Sequence, residues 1–267
     1  MSSYAAKSRY LCRLAAQAIA GGALFVLGAC YPGWLPDAEN DPVNTAGYEV
    51  EDLPVVITAS YARGDDVYLG LDSGAIKKAS DSRFTEPCAD VGHPLDGGPR
   101  LLFASSADVL FTSADHHSVY RSADGGTSWQ QCLDVPVWRM DEDDEGSLYA
   151  GIYIKDPEHA ATLYKTTDNG LTWSIVFQDD TTNHIHTVRW DERGKRLYIA
   201  FGDGDQRGQA YSDDHGATFQ VIARGPLEGH TDIAFTRDYI FWCTDNATGQ
   251  ILRVDRATGC TQVITGL

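Results

Sequence analysis

The chain has 267 residues, 43% of them apolar and 22% charged, with 26 glycines and 2 methionines, which bounds it as a globular protein able to bury a sizeable core. Its 38 acidic and 21 basic residues give a net charge of −17. That surface repels phosphates and anionic headgroups, so nucleic acid is excluded as a partner; the charge reads as solubility, with a calcium or cationic ligand as the alternative.

The first element is an address. Lys7, Arg9 and Arg13 form a positive segment, and no acid occurs before residue 30. Residues 14–27 are apolar except for Gln17. A run of about 14 residues is short for a membrane span and fits the apolar core of a signal peptide. It ends in Leu27-Gly28-Ala29-Cys30. These small residues before a cysteine resemble the bacterial lipobox, which implies cleavage after residue 29, acylation of Cys30 and a lipid anchor in a membrane. Tyr31 follows, where an Asp favours inner-membrane retention in enterobacterial lipoproteins. The resulting expectation is an exported protein anchored to the cell envelope, at the outer membrane or cell surface. Residues 30–53, rich in Pro, Asp, Asn and Gly, read as the lipidated end and its tether, with the folded domain over 54–267.

Export agrees with the cysteines. Apart from Cys12 and Cys30, the chain holds Cys88, Cys132, Cys243 and Cys260, which allow three disulfide pairings. Cys243 and Cys260 share a repeat and are the pair to expect; free buried thiols are the alternative.

Three segments of the domain align without gaps: Ser122 to Trp129, Thr166 to Trp173 and Ser212 to Phe219. Their shared pattern is S/T-x-D-x-G-x-T/S-W/F, carried by Asp124, Gly126 and Trp129, by Asp168, Gly170 and Trp173, and by Asp214, Gly216 and Phe219. In each, Asp accepts backbone N–H groups of a tight turn, Gly allows positive φ, and the aromatic ring packs beneath. These aspartates are therefore structural. Each staple follows a strand with a paired apolar signature: Val67-Tyr68, Val109-Leu110, Leu148-Tyr149, Leu197-Tyr198 and Ile240-Phe241. Five repeats result, over 54–91, 98–135, 137–178, 184–224 and 229–267. The first and last carry decayed staples near residues 80–84 and 254–259. In the fourth repeat, strands are expected at 187–191, 196–201, 209–212 and 218–223. Four strands per unit of about 40 residues is the arithmetic of an all-β propeller blade.

Over residues 54–267 the chain resembles the Asp-box (BNR) repeat family of β-propellers, which includes sialidases, xyloglucan-degrading glycosidases and sortilin-like and assembly-factor propellers. The resemblance implies four-stranded blades with the staple on the blade periphery, between the third and fourth strands. Most such rings have six or seven blades and five are visible here, so either the ring is five-bladed, or 31–53 supplies a piece, or a piece is missing.

In a propeller, the loops entering inner strands share a face with those joining second and third strands, and that face binds ligands. The fourth repeat places His184 and His186 at its inner-strand entry and Asp203 and Asp205 in its second-to-third connection. The fifth offers His230 and Asp232; the third offers Trp138 and Arg139, then Asp156 and His159. His184 and His186 with a carboxylate are candidate ligands for a divalent metal, and the same residues beside Trp138 suit a sugar or peptide. Hydrogen-bonded loop histidines are the plainer alternative.

Two functions follow. One is a binding or assembly scaffold for an envelope protein or glycan. The other is a glycoside hydrolase of sialidase-like or xyloglucanase-like type. The sialidase F/Y-R-I-P segment is missing, and Pro99-Arg100-Leu101 is a poor substitute. Arg100, Arg139 and Arg189 fall near successive inner strands without making a recognisable triad. The acidic run 141–145 (DEDDE) reads as a solvated turn, not as paired catalytic carboxylates. The scaffold reading is therefore preferred.

Overall fold

Short apolar runs separated by Gly-rich turns must satisfy their backbone groups on neighbouring strands. In the computed structural model each strand pairs antiparallel with the next within its group of four, giving five separate four-stranded meanders. The structure describes residues 56–79, 89–92, 94–114, 118–154, 160–225, 230–244 and 249–266. Cys30 and its flanks, Cys88, the staple expected at 80–84, Asp156 and His159 lie outside the described residues.

Blade I comprises β1 (Ile57–Arg63), β2 (Asp66–Leu71), β3 (Ile76–Ala79) and β4 (Ala89–Gly92). Blade II comprises β5 (Leu101–Ala104), β6 (Leu110–Ser113), β7 (Val119–Ser122) and β8 (Gln130–Leu133). Blade III comprises β9 (Val137–Glu142), β10 (Leu148–Ile152), β11 (Ala161–Thr166) and β12 (Ser174–Asp179). Blade IV comprises β13 (Ile185–Asp191), β14 (Arg196–Phe201), β15 (Gly208–Ser212) and β16 (Gln220–Arg224). Blade V comprises β17 (His230–Phe235), β18 (Tyr239–Thr244), β19 (Gln250–Asp255) and β20 (Thr261–Gly266). The molecule is a five-bladed, all-β propeller, and the blades coincide with the five repeats to within a few residues.

A blade buried on both sides must be apolar on both, so its strands alternate between two interfaces. In β14, Leu197, Ile199 and Phe201 join the core shared with blade III. Tyr198 and Ala200 join the core shared with blade V. In β10, Leu148 and Ala150 face blade II and Tyr149 faces blade IV. The paired signature is thus one residue for each neighbour. In blade II the equivalent pair is Leu110-Phe111: Leu110 packs toward blade I, and Val109 and Phe111 pack toward blade III. Reading Val109-Leu110 as the pair is off by one, a slip that exchanges the two faces.

All three staples sit between a blade's third and fourth strands and make the same bonds. Oδ1 of Asp124, Asp168 and Asp214 accepts the N–H of Ser128, Thr172 and Thr218 at 2.9, 2.9 and 2.8 Å. Oδ2 accepts the hydroxyl of that same residue. Gly126, Gly170 and Gly216 donate to the hydroxyls of Ser122, Thr166 and Ser212. The staple also binds the preceding blade. A Cβ on Gly170 would lie 2.7 Å from Phe111, and one on Gly216 2.9 Å from Tyr149. Both glycines have φ near +80°, at 81° and 79°. They are needed for conformation and for close approach together. Trp129, Trp173 and Phe219 fill the I/II, II/III and III/IV cores respectively. In blade V only the turn survives: Asp255 accepts the N–H groups of Ala257 and Thr258.

Cys132, Cys243 and Cys260 are free thiols. Cys243 is half-buried in β18 and Cys260 is exposed after the β19–β20 turn, so the pair expected in this repeat is not formed.

Candidate functional site

The ends of β10 and β13 meet where Tyr153 and His184 form an isolated antiparallel bridge. This bridge sets the connection after β10 against the inner strand of blade IV. Near their starts β1, β9, β13 and β17 each shift register, leaving Thr58, Trp138, His186 and Thr231 out of the pairing. A bulge re-aims a side chain at a sheet rim. Trp138 and His186 are the bulged residues of adjacent blades, and they point into one cluster.

Trp138 stacks on Tyr153, with ring centroids 3.4 Å apart and planes within 5°. Tyr153 in turn lies 4.5 Å from the His184 ring. His184 and His186 are buried, and their Nε2 atoms are 3.0 Å apart. Asp203, just before the 3-10 turn Gly204–Gln206, brings its carboxylate to 3.5 Å from His184 Nε2 and 3.4 Å from His186 Nε2. His186 Nε2 is also 3.2 Å from the carbonyl of Gly202. The two imidazoles, His184 first, hold the Asp203 carboxyl far below the usual carboxylate range. Asp205 stays exposed in the turn, apart from this cluster. His230 is buried at the start of β17 with its ring 4.9 Å from Trp242.

Arg139 and Asp232 belong to a second group along the inner strands. Arg189 donates from Nε and Nη2 to the two Asp232 oxygens at 3.1 and 3.3 Å, and Thr187 Oγ1 donates to Oδ1 at 3.3 Å. Burial acts to raise Asp232, but the Arg189 and Arg139 cations outweigh it and keep it below its ordinary value. Asp141 responds the other way: burial pushes its carboxyl up despite Arg189. Asp141 also ties strands, accepting the Trp190 N–H at 2.8 Å and the Glu142 N–H at 2.9 Å.

The run 141–145 is therefore only partly a solvated turn: Asp144 and Glu145 are exposed in the turn, while Asp141 and Glu142 end β9 and Asp143 is buried. Asp143 is 5% exposed and accepts the N–H groups of Glu145 and Ser147 and the Tyr149 hydroxyl. It also meets His215 Nδ1 at 3.0 Å. The His215 ring stacks on Trp190 at 5.2 Å. Sequence reasoning passed over His215 because it fills a variable position of the staple; the signal was D-H-G where the sister repeats have D-G-G and D-N-G. Tyr153 carried no such signal, since only the bridge to His184 gives it a role.

No protein-family profile matches the chain, and no curated protein does. Its likeness is to solved structures. An ancestral GH74 enzyme superposes with a TM-score of 0.63 over 78% of this chain and 31% of that one, at 14% identity. The GH74 enzyme of Niastella koreensis gives 0.62 over 78% and 37%, at 17% identity. YCF48 bound to D1 peptide gives 0.55 over 80% and 69%, at 16% identity. The chain spans about a third of the length of these GH74 enzymes. At such identities what is shared is the fold, and the chain is similar to these β-propellers in architecture.

Proposed function

We propose that this chain is an exported lipoprotein of the Asp-box (BNR) propeller type, anchored through Cys30, that serves as a binding or assembly scaffold for an envelope protein or glycan. The observation that carries this reading is the stacked Trp138–Tyr153 pair, half-exposed beside His184, His186 and Asp203. Stacked aromatics beside a few fixed polar groups give a ligand apolar area and direction at once. The similar structures include YCF48 bound to D1 peptide and a nidogen/laminin complex, both assemblies with a partner.

A glycoside hydrolase is the second reading, favoured by the likeness to GH74 enzymes and by the opposite displacements of Asp141 and Asp232, a pattern seen in acid/base pairs. Against it, Asp141 accepts backbone N–H groups and Asp232 is held by Arg189. One experiment separates the two. The full chain, expressed with its leader and extracted in detergent, is used for partner capture and for hydrolysis of a sialoside and xyloglucan panel. The scaffold reading expects an envelope partner retained by wild type and lost with Trp138→Ala, no hydrolysis, and release of Cys30→Ser from the membrane fraction. Turnover of any panel member, lost in Asp141→Asn, sinks it.

A further inference from the structure

We propose that His184, His186 and Asp203 form a binding site for a divalent transition-metal ion of the zinc type, with its open coordination side toward the Trp138–Tyr153 stack. Three lone-pair donors converge here. The separations are 3.0 Å between the imidazole Nε2 atoms and 3.4 and 3.5 Å from these to the carboxylate. An ion about 2.1 Å from both nitrogens would see them at about 90°, and each nitrogen has its own Asp203 oxygen within reach of the same ion, Oδ2 for His184 and Oδ1 for His186. Two imidazoles with one carboxylate suit borderline transition metals; magnesium and calcium favour all-oxygen sets.

Hydrogen bonding alone leaves this arrangement poorly satisfied. The two Nε2 atoms face each other, so at most one can carry a proton along the line between them. That proton cannot also serve Asp203 and the Gly202 carbonyl, both of which lie near His186 Nε2. A single cation satisfies both nitrogens and the carboxylate together.

The surroundings fit. Both histidines are buried, His186 on β13 and His184 in the bridge just before it, while the Asp203 side chain is 56% exposed, which leaves the site an entry. The other His/Asp cluster, Asp143, Asp144 and His215, is accounted for differently: His215 Nδ1 bonds Asp143 and its ring lies against Trp190. It serves as an internal control.

The test uses the purified full chain, stripped with chelator and titrated with Zn²⁺ alone, and with Co²⁺ for its visible spectrum. Wild type is expected to bind roughly one Zn²⁺ per chain, to give the intense bands of four-coordinate Co²⁺, and to melt at higher temperature with zinc. Asp203→Asn, an exposed change that leaves the core intact, should weaken zinc by more than the roughly 10–100-fold that outer-shell changes alone cause. His186→Ala should abolish binding, and His215→Ala should leave it unchanged. No stoichiometric zinc in wild type, or equal zinc in Asp203→Asn, overturns the proposal, as does zinc loss that follows His215. No partner or substrate is present in this assay, so its failure is distinguishable from failure of the scaffold reading.

Discussion

At the scale of single residues, the staple aspartates act through their charge. Bonds from Ser128 and Ser122, and from Thr218 and Ser212, lower the Asp124 and Asp214 carboxyls from an ordinary 3.8 to about 2. Asp168 is lowered further still by Thr172 and Thr166. A carboxyl depressed in the fold contributes stability above its unfolded value and loses it as pH falls through its folded value. The melting temperature should therefore fall between pH 4 and pH 2. Asp214→Asn should melt lower than wild type at pH 7 and show a shallower acid slope across that window. Equal slopes in the two proteins would refute an ionic role for the staple. His215 shows how a variable staple position acquires work. It takes φ of +53°, a conformation in which His is among the better-tolerated residues. Its carbonyl accepts the Lys165 ammonium of the preceding blade at 2.7 Å and lies equally close to the Tyr149 hydroxyl, whose single proton it shares with Asp143.

At the scale of elements, polar ties between consecutive blades supplement the apolar interfaces. Ser106 donates from blade II to Glu142 of blade III, and Trp190 of blade IV donates to Asp141 of blade III. Arg224 of β16 pairs with Asp179 of β12. Where the blade V staple has decayed, Arg256 reaches back to Asp191 of β13 with two bonds, at 2.5 and 2.8 Å. Asp191 is 1% exposed, so removing its partner leaves a buried carboxylate unpaired. Arg256→Met should cost about 3 kcal/mol in chemical denaturation. Replacing both, as Arg256→Met with Asp191→Leu, should recover much of that loss, because the price of a buried ion pair lies mostly in stranding one member. A double variant no more stable than the single one would contradict this account.

At the scale of the whole molecule, the described residues form four interblade cores for five blades: I/II, II/III, III/IV and IV/V. Burial follows this order. β5, β6 and β10 are buried throughout, whereas β1 and β19 contain no buried residue. Local opening free energy tracks the apolar contacts that must be broken. Native-state amide exchange should therefore show strongest protection in β10, β13 and β14, and weakest in blades I and V. Uniform protection across all five blades would contradict this gradient.

The sequence by itself determined the five repeats, the four strands of each blade and the staples, because these depend on local spacing: a period of two along strands and a turn chemistry confined to eight residues; that the five repeats make five blades was decided by the tertiary structure. Blade II shows its limit, since Leu110-Phe111 could be told from Val109-Leu110 only by which neighbour each side chain met. His184, His186 and Asp203 were nominated from the loops, and what they share was decided in three dimensions. The Tyr153–His184 bridge and the bulges at Trp138 and His186 bring blades III and IV together there, while Asp205 stays in its exposed turn and Asp232 is held by Arg189. Likewise the 141–145 acids looked solvated by composition, and only the packing of His215 and Trp190 against them made Asp143 a buried tie and Asp141 a half-buried one. Contacts between blades join residues some forty positions apart, and a pattern with a period of two carries no information about which distant side chains will meet.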